Sequence, residues 1–92
     1  MNEKNRVSSA RIPMSLLTDR EVSSSAKLLF GLIDYYQSMS GGVCYATNGE
    51  LAAAFNDYSL DAITRLVREL RKAGYIETEY IIGYGREIRT MI

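Results

Sequence analysis

Residues 59–73 carry the side chains with the most informative chemistry in this chain, in the order SLDAITRLVRELRKA. Ile63, Val67 and Leu70 recur at the spacing of an amphipathic helix and predict its buried stripe. The opposite face is then exposed and consists of Leu60, Asp61, Ala62, Thr64, Arg65 and Arg68. Arginine can donate hydrogen bonds to guanine or to phosphate, and hydroxyl side chains can donate to phosphate. This face therefore predicts non-covalent recognition of DNA.

Arg65 is the strongest candidate for a DNA contact on this helix. Its guanidinium is expected to bond to guanine or to phosphate, so the substitution Arg65→Ala should weaken binding most. The alternative is a solvated side chain that pairs with Glu69 at i+4 or with Asp61 at i−4. For Arg68 and Lys72 the alternatives are a phosphate contact and simple solvent exposure.

The first half of this helix contains groups that favour DNA binding and one that opposes it. Ser59 and Thr64 can donate to phosphate, although Ser59 is first of all the expected N-cap. Asp61 suits the helix dipole and can accept a hydrogen bond from cytosine N4. It also repels the phosphate that a helix N-terminus would otherwise attract. Asp61 is therefore the residue that most opposes a DNA-binding interpretation.

Further candidates lie near the two ends of the chain. Arg86 and Arg89, in the C-terminal tail, could grip the DNA backbone or form an exposed strand face. Tyr84 could contact DNA or fill a turn. Three basic residues near the N-terminus could form an arm that binds DNA or simply keep the terminus soluble; they are Lys4, Arg6 and Arg11.

The composition excludes most catalytic and metal-binding chemistry. The chain has no histidine, which removes the commonest general base. It has no paired carboxylates on a shared face and no glycine-rich loop between a strand and a helix. The single cysteine, Cys44, lies in an apolar stretch and is expected to be a buried thiol in a reducing compartment. We therefore expect no enzyme activity, no metal, no cofactor and no small-molecule substrate.

Charge and hydropathy narrow the possible partners. The 92 residues have a formal net charge of zero, whereas nucleic-acid-binding domains are usually strongly basic. Positive charge is nonetheless concentrated in residues 1–13, in residues 59–73 and in the tail, so a locally basic face can still meet phosphate. No signal peptide is visible, and no apolar stretch is long enough to span a bilayer. These features predict a cytoplasmic protein without a membrane partner.

Capping residues divide the first half of the chain into short elements. Pro13 favours a short helix over residues 13–18, and the serines at 23–25 can cap a helix that reaches about Met39. This second helix has an apolar stripe for the core and a further one for the core or for an oligomer interface, formed by Leu28, Leu32, Tyr35 and Met39. Residues 43–46, VCYA, favour a short strand.

The second half predicts a helix–turn–helix followed by a hairpin. Thr47 and Glu50 have the spacing of a capping box and begin a helix over residues 48–55. Asn56 favours a left-handed turn, after which Ser59 begins the helix described above. A hairpin follows, with strands at 75–82 and 86–92 around a Gly-Tyr-Gly turn.

Together these elements predict an α+β winged helix-turn-helix fold. It has three main helices, a short N-terminal helix and a small three-stranded antiparallel sheet whose β-hairpin is the wing. Residues 1–11 are expected to form a flexible N-terminal arm, and residues 12–92 the domain.

Four segments of the chain carry a resemblance to a known family: IPMSLL, VSSSAKLLFGLI, VCYATNGELAAAF and ITRLVRELRKAGYIE. They resemble the winged helix-turn-helix domain of plasmid and phage replication initiators and of bacterial primosomal replication proteins, over about residues 11–92. The resemblance implies binding to duplex DNA at a replication origin. It also implies replisome proteins or a homodimer partner, usually reached through a further C-terminal domain. The chain is then either one domain of a longer initiator or a small complete protein.

The resemblance also suggests contact residues and two departures. Ala62, Thr64, Arg65 and Arg68 match the family's contact positions, whereas Asp61 stands where the family is usually basic. The turn, Asn56-Asp57-Tyr58, is one residue longer than in the family, so the angle between the helices can differ. Two other functions stay open: a small phage or plasmid protein that binds a protein partner as an inhibitor or adaptor, and a transcriptional regulator of the same fold.

Overall fold

Each of the longer helices begins at a hydroxyl side chain that satisfies a free backbone amide. The computed structural model describes residues 10–56 and 58–91. In it, α2 (Ser24–Met39), α3 (Asn48–Ala54) and α4 (Leu60–Lys72) follow a short α1 (Met14–Leu17). The hydroxyl oxygens of Ser23, Thr47 and Ser59 each accept a hydrogen bond from the amide three residues later. The capping box is complete, because the Thr47 amide also donates to the Glu50 carboxylate. The predicted helix positions are thus confirmed to within one or two residues.

A two-stranded antiparallel hairpin follows the helices, with β1 at Ile76–Ile81 and β2 at Gly85–Thr90. The expected third strand at 43–46 is reduced, among the described residues, to a single bridge in which Cys44 and Ile88 exchange two backbone hydrogen bonds of 2.9 Å. Gly41 and Gly42, both at positive φ, precede this segment, and the N-cap Thr47 follows it. Ala46 is opposite Arg86 in this register, and its carbonyl accepts from the Arg86 guanidinium, so the backbone ladder does not continue. The α+β class, with four helices and a two-stranded hairpin, is confirmed.

The core forms where α2 packs against α4 and the hairpin. Leu29, Phe30 and Ile33 of α2 are fully buried, and residues from every other element surround them: Leu16, Leu51, Ile63, Leu70, Ile76 and Ile88. Cys44 is a free thiol in this core, as predicted, and burial raises its pKa. A protonated buried thiol is a poor nucleophile, so we assign Cys44 to packing.

The turn between α3 and α4 is fixed by Asn56, whose φ of 56° lies in the left-handed region. The ring of Tyr58 packs edge-on against Phe55 at 4.8 Å between centroids, and its hydroxyl lies 3.1 Å from Ser25 Oγ. These contacts attach the turn to α2. They determine the direction in which α4 leaves the turn.

Residues 10–12 cross α2 at Gly31, which is buried. A Cβ atom at Gly31 would lie 3.1 Å from the Ala10 Cβ, so glycine permits the close approach. Beside it, the Arg11 guanidinium donates to both carboxylate oxygens of Asp34 at 3.2 and 3.3 Å, and Asp34 is only 2% exposed. Arg11 therefore compensates a buried charge. Lys4 and Arg6, the rest of the expected basic arm, lie outside the described residues.

The link between Tyr75 and Asp19 leads to a pH-dependent stability. Tyr75 Oη donates to Asp19 Oδ2 at 2.7 Å, which lowers the pKa of Asp19 below its ordinary 3.8 and raises that of Tyr75. A carboxylate whose pKa is lower in the folded than in the unfolded protein stabilises the fold at pH values above its unfolded pKa. This contribution disappears as the pH falls through the folded pKa. We expect wild type to exceed Tyr75→Phe in stability near neutral pH and the gap to close below about pH 4. Urea unfolding measured from about pH 7 down to about pH 2 tests this; a gap that is independent of pH would contradict it.

Within the described residues, no helix is both long enough and apolar enough to cross a membrane.

Candidate nucleic-acid interface

A groove with a volume of about 180 Å³ lies between α4 and the hairpin. We call it the α4–hairpin groove. On α4, Thr64, Arg68 and Arg71 recur every three or four residues and so share the face that points towards the hairpin. The other lining residues come from α3, the core side of α4 and the hairpin, namely Asn48, Val67, Thr78, Tyr80 and Arg86. The groove is thus polar, and arginine contributes three of its side chains.

The basic residues of α4 form no ion pair with the part of the chain that the structure describes. Among the described residues, no Asp or Glu oxygen lies within 4.0 Å of a charged nitrogen of Arg65, Arg68, Arg71 or Lys72. Glu69, the alternative partner for Arg65, instead accepts hydrogen bonds from the Ser23 amide at 2.7 Å and the Ser23 hydroxyl at 2.9 Å. Because that carboxylate holds the start of α2, the exposed side of α4 keeps its positive charge.

A chain of hydrogen bonds joins the hairpin to α3 and α4. Arg86 donates from Nη1 to Asn48 Oδ1 at 2.7 Å and from Nη2 to the Ala46 carbonyl at 2.8 Å. Asn48 Nδ2 donates to Thr64 Oγ1 at 3.2 Å, and Thr64 Oγ1 donates to the Leu60 carbonyl at 2.9 Å. The Arg86 Nε is enclosed without a partner among the described residues. Arg86 therefore attaches the hairpin to the segment before α3 and to α3 itself. A contact of Arg86 with a DNA backbone, as predicted, would have to leave these bonds in place.

Arg86 and Arg89 lie on opposite faces of β2, since successive side chains alternate along a strand. The face of Arg86 includes Tyr80, its cross-strand partner, and is turned towards the groove. On the other face Arg89 lies 2.8 Å from Glu87 and 3.7 Å from Glu79. With Glu77, also on that face, the outer side of the hairpin is acidic. The sequence analysis treated Arg86 and Arg89 together, whereas the structure places them on opposite faces of the hairpin.

The remaining candidates on α4 have mixed positions. Ser59 is the N-cap, and its oxygen accepts from the Ala62 amide. Asp61 is exposed in the first turn, Ala62 is half-buried, and Lys72 is exposed in the last turn. None of these four residues lines the α4–hairpin groove.

The sequence analysis did not identify several of the residues that line the groove. Arg71 is three residues after Arg68 and seven after Thr64, so helical spacing could have placed it. Asn48 and Tyr80 belong to other elements and carry no comparable signal. Tyr84, which was predicted, is 82% exposed at the hairpin tip.

Among the described residues, no three His, Cys, Asp or Glu side chains lie close enough to hold a metal ion. Comparisons of the chain with protein-family models, with curated proteins and with solved structures found no significant match to any of them. Its function is therefore inferred from the residues and their geometry.

Proposed function

We propose that this chain is a non-catalytic winged helix-turn-helix domain that binds duplex DNA. In this proposal α3 and α4 are the helix–turn–helix, α4 enters the major groove and the hairpin is the wing. The bridge between Cys44 and Ile88 supports this proposal, because a winged-helix sheet has a short third strand beside its hairpin. The assignment to replication initiation, rather than to transcription, rests on the sequence resemblance.

The observation that carries the proposal is the row of cations on α4 that have no carboxylate partner among the described residues. Arg65, Arg68, Arg71 and Lys72 are all exposed, whereas Arg11 and Arg89 are paired with carboxylates. A helix is about 10–12 Å across with its side chains, which fits the major groove of about 12 Å, and 13 residues give α4 a length of about 20 Å. Side chains along that length can reach phosphates on both sides of the groove, while Thr64 and Arg65 face the base edges.

A salt titration of DNA binding tests the proposal. Fluorescence anisotropy with a random-sequence duplex should show binding at low salt, and about four phosphate contacts predict a slope of log K against log salt near −4. Arg65→Ala should weaken binding about tenfold and, if Arg65 contacts phosphate, reduce the slope by about one. Arg89→Ala is the matched control, because Arg89 is paired on the acidic face. Failure of folded wild type to bind at low salt would rule out the proposal.

A second function, binding to a protein partner, is favoured by the outer surface of α2. Leu28 and Met39 are 60% and 67% exposed there, and Leu32 and Tyr35 are half-buried. This is the further apolar stripe expected for an interface, and the zero net charge of the chain suits a protein partner. An adaptor or inhibitor of this kind would leave duplex DNA unbound in the same titration.

A further inference from the structure

Among the described residues, the hairpin carries the most exposed large apolar side chains, at and near its tip. Ile82 is 100% exposed, and Tyr84, two residues later, is 82% exposed. Tyr80, on the groove side of the same hairpin, is 74% exposed. Isolated exposed apolar residues are ordinary, but three of them on one projecting element indicate a contact surface.

The turn itself does not require these side chains. The Tyr84 amide donates to the Ile81 carbonyl at 3.0 Å, and the positive φ of Gly83 matches the third position of a type II turn. Ile82 then occupies the second position, where proline or a polar residue is usual. A β-branched apolar residue at this position has no role in forming the turn.

The tip projects from a rigid base. The bonds of Arg86 to Asn48 and Ala46, and the bridge between Ile88 and Cys44, fix β2 to the body of the protein. The three residues from Ile88 to Gly85 extend about 10 Å beyond that bridge. Cβ atoms built at Gly83 and Gly85 meet nothing within 4 Å, so the tip is surrounded by open space. Arg86 still bonds to Asn48 and Ala46, so the projecting part consists of Gly85 and residues 82–84.

Charge restricts the side from which DNA can approach the tip. The outer face of the hairpin carries Glu77, Glu79 and Glu87 against Arg89 alone, so it repels phosphate. The inner face lies beside Arg68 and Arg71 of α4. A duplex held by α4 therefore meets the hairpin along its inner face and end.

We propose that the hairpin tip is an apolar wedge that inserts Ile82 and Tyr84 at a base step of the bound duplex and partly unstacks it. This inference rests on the proposed DNA-binding function and specifies the form of DNA that is preferred. Inserted apolar side chains leave water and unstack neighbouring bases, a deformation that costs least at a mismatch. The domain should thus favour duplexes that open easily over fully paired ones.

Duplexes that contain 2-aminopurine at successive positions report the unstacking directly. Saturation with wild type should raise 2-aminopurine fluorescence at one or two adjacent steps, and a central mismatch should tighten binding about tenfold. The double substitution Ile82→Ser with Tyr84→Ser should abolish both effects and leave the salt slope unchanged. Leu28→Ser, at an exposed apolar position on α2, is the control and should behave as wild type.

The outcomes separate the wedge from DNA binding itself. Binding without a fluorescence rise or a mismatch preference would overturn the wedge and leave the DNA-binding function intact. Persistence of both signals in the double variant would also overturn the wedge, since another segment would then unstack the bases. Absence of any duplex binding would overturn both proposals and favour a protein partner for the tip. All the substituted side chains are exposed, so loss of folding does not complicate the comparison.

Discussion

Replacing Arg68 and Arg71 together with glutamine should lower the affinity for duplex DNA about a hundredfold at low salt. Both guanidinium groups line the α4–hairpin groove, and neither is neutralised by a carboxylate of the described residues. Each lost phosphate contact should also reduce the salt slope by about one, so the double variant should show a slope shallower by about two. Anisotropy titrations over a range of salt concentrations measure both quantities.

The matched control for this pair is Arg89→Gln on the outer face of the hairpin. It removes one positive charge from the protein, but its guanidinium lies 2.8 Å from Glu87 and faces away from the groove. We expect its affinity and salt slope to equal those of wild type. Thermal unfolding should be unchanged in the groove pair, because its arginines make no ion pair with the described residues, and the Tm of Arg89→Gln should change by a few degrees at most. Equal losses from the groove pair and from Arg89 would show that overall charge, not the groove, determines binding.

Replacing Arg86 with methionine should destabilise the fold by about 2 kcal/mol and lower the Tm by about 10 °C. The change removes two charge-assisted hydrogen bonds, to Asn48 Oδ1 and to the Ala46 carbonyl, and leaves both acceptors without their donor. Part of that loss is offset, because the enclosed Nε atom without a partner is removed as well. Methionine keeps most of the apolar stem, so the measured difference reports on the hydrogen bonds.

Arg89→Met provides the comparison on the same strand, three residues further along. Its ion pairs lie on the exposed face of the hairpin, where such pairs contribute about 0–1 kcal/mol. We expect it to change the Tm by a few degrees at most in thermal unfolding. The free energy of unfolding from denaturant titration should change by about 0–1 kcal/mol. Similar losses in both variants would mean that Arg86 is not the brace of the hairpin.

The positions of the helices could be predicted because their signals are local. Ser23, Thr47 with Glu50, and Ser59 each specify a helix start through a hydrogen bond that spans three residues. Asn56 likewise specifies its own backbone conformation. Such features depend only on residues that are close in sequence, so they can be predicted from the sequence alone.

The rest of the site depends on contacts between elements, which local patterns do not contain. Glu69 meets Ser23 only where α4 packs on α2. Asn48 meets Arg86 only where the hairpin packs on α3. The prediction of a short third strand failed for a similar reason, since only Cys44 of residues 43–46 pairs with β2 through backbone hydrogen bonds. The separation of Arg86 from Arg89 is different: strand alternation already places residues of opposite parity on opposite faces, so this could have been deduced.

The acidic outer face of the hairpin has a consequence for how the domain would encounter DNA. A protein of zero net charge feels little overall attraction to a polyanion. Its separated positive and negative surfaces nevertheless form an electric dipole, and the field of the duplex exerts a torque on it. The molecule would rotate until α4 leads and Glu77, Glu79 and Glu87 trail. The carboxylates of the hairpin would then select the orientation of the encounter, although none of them touches the DNA.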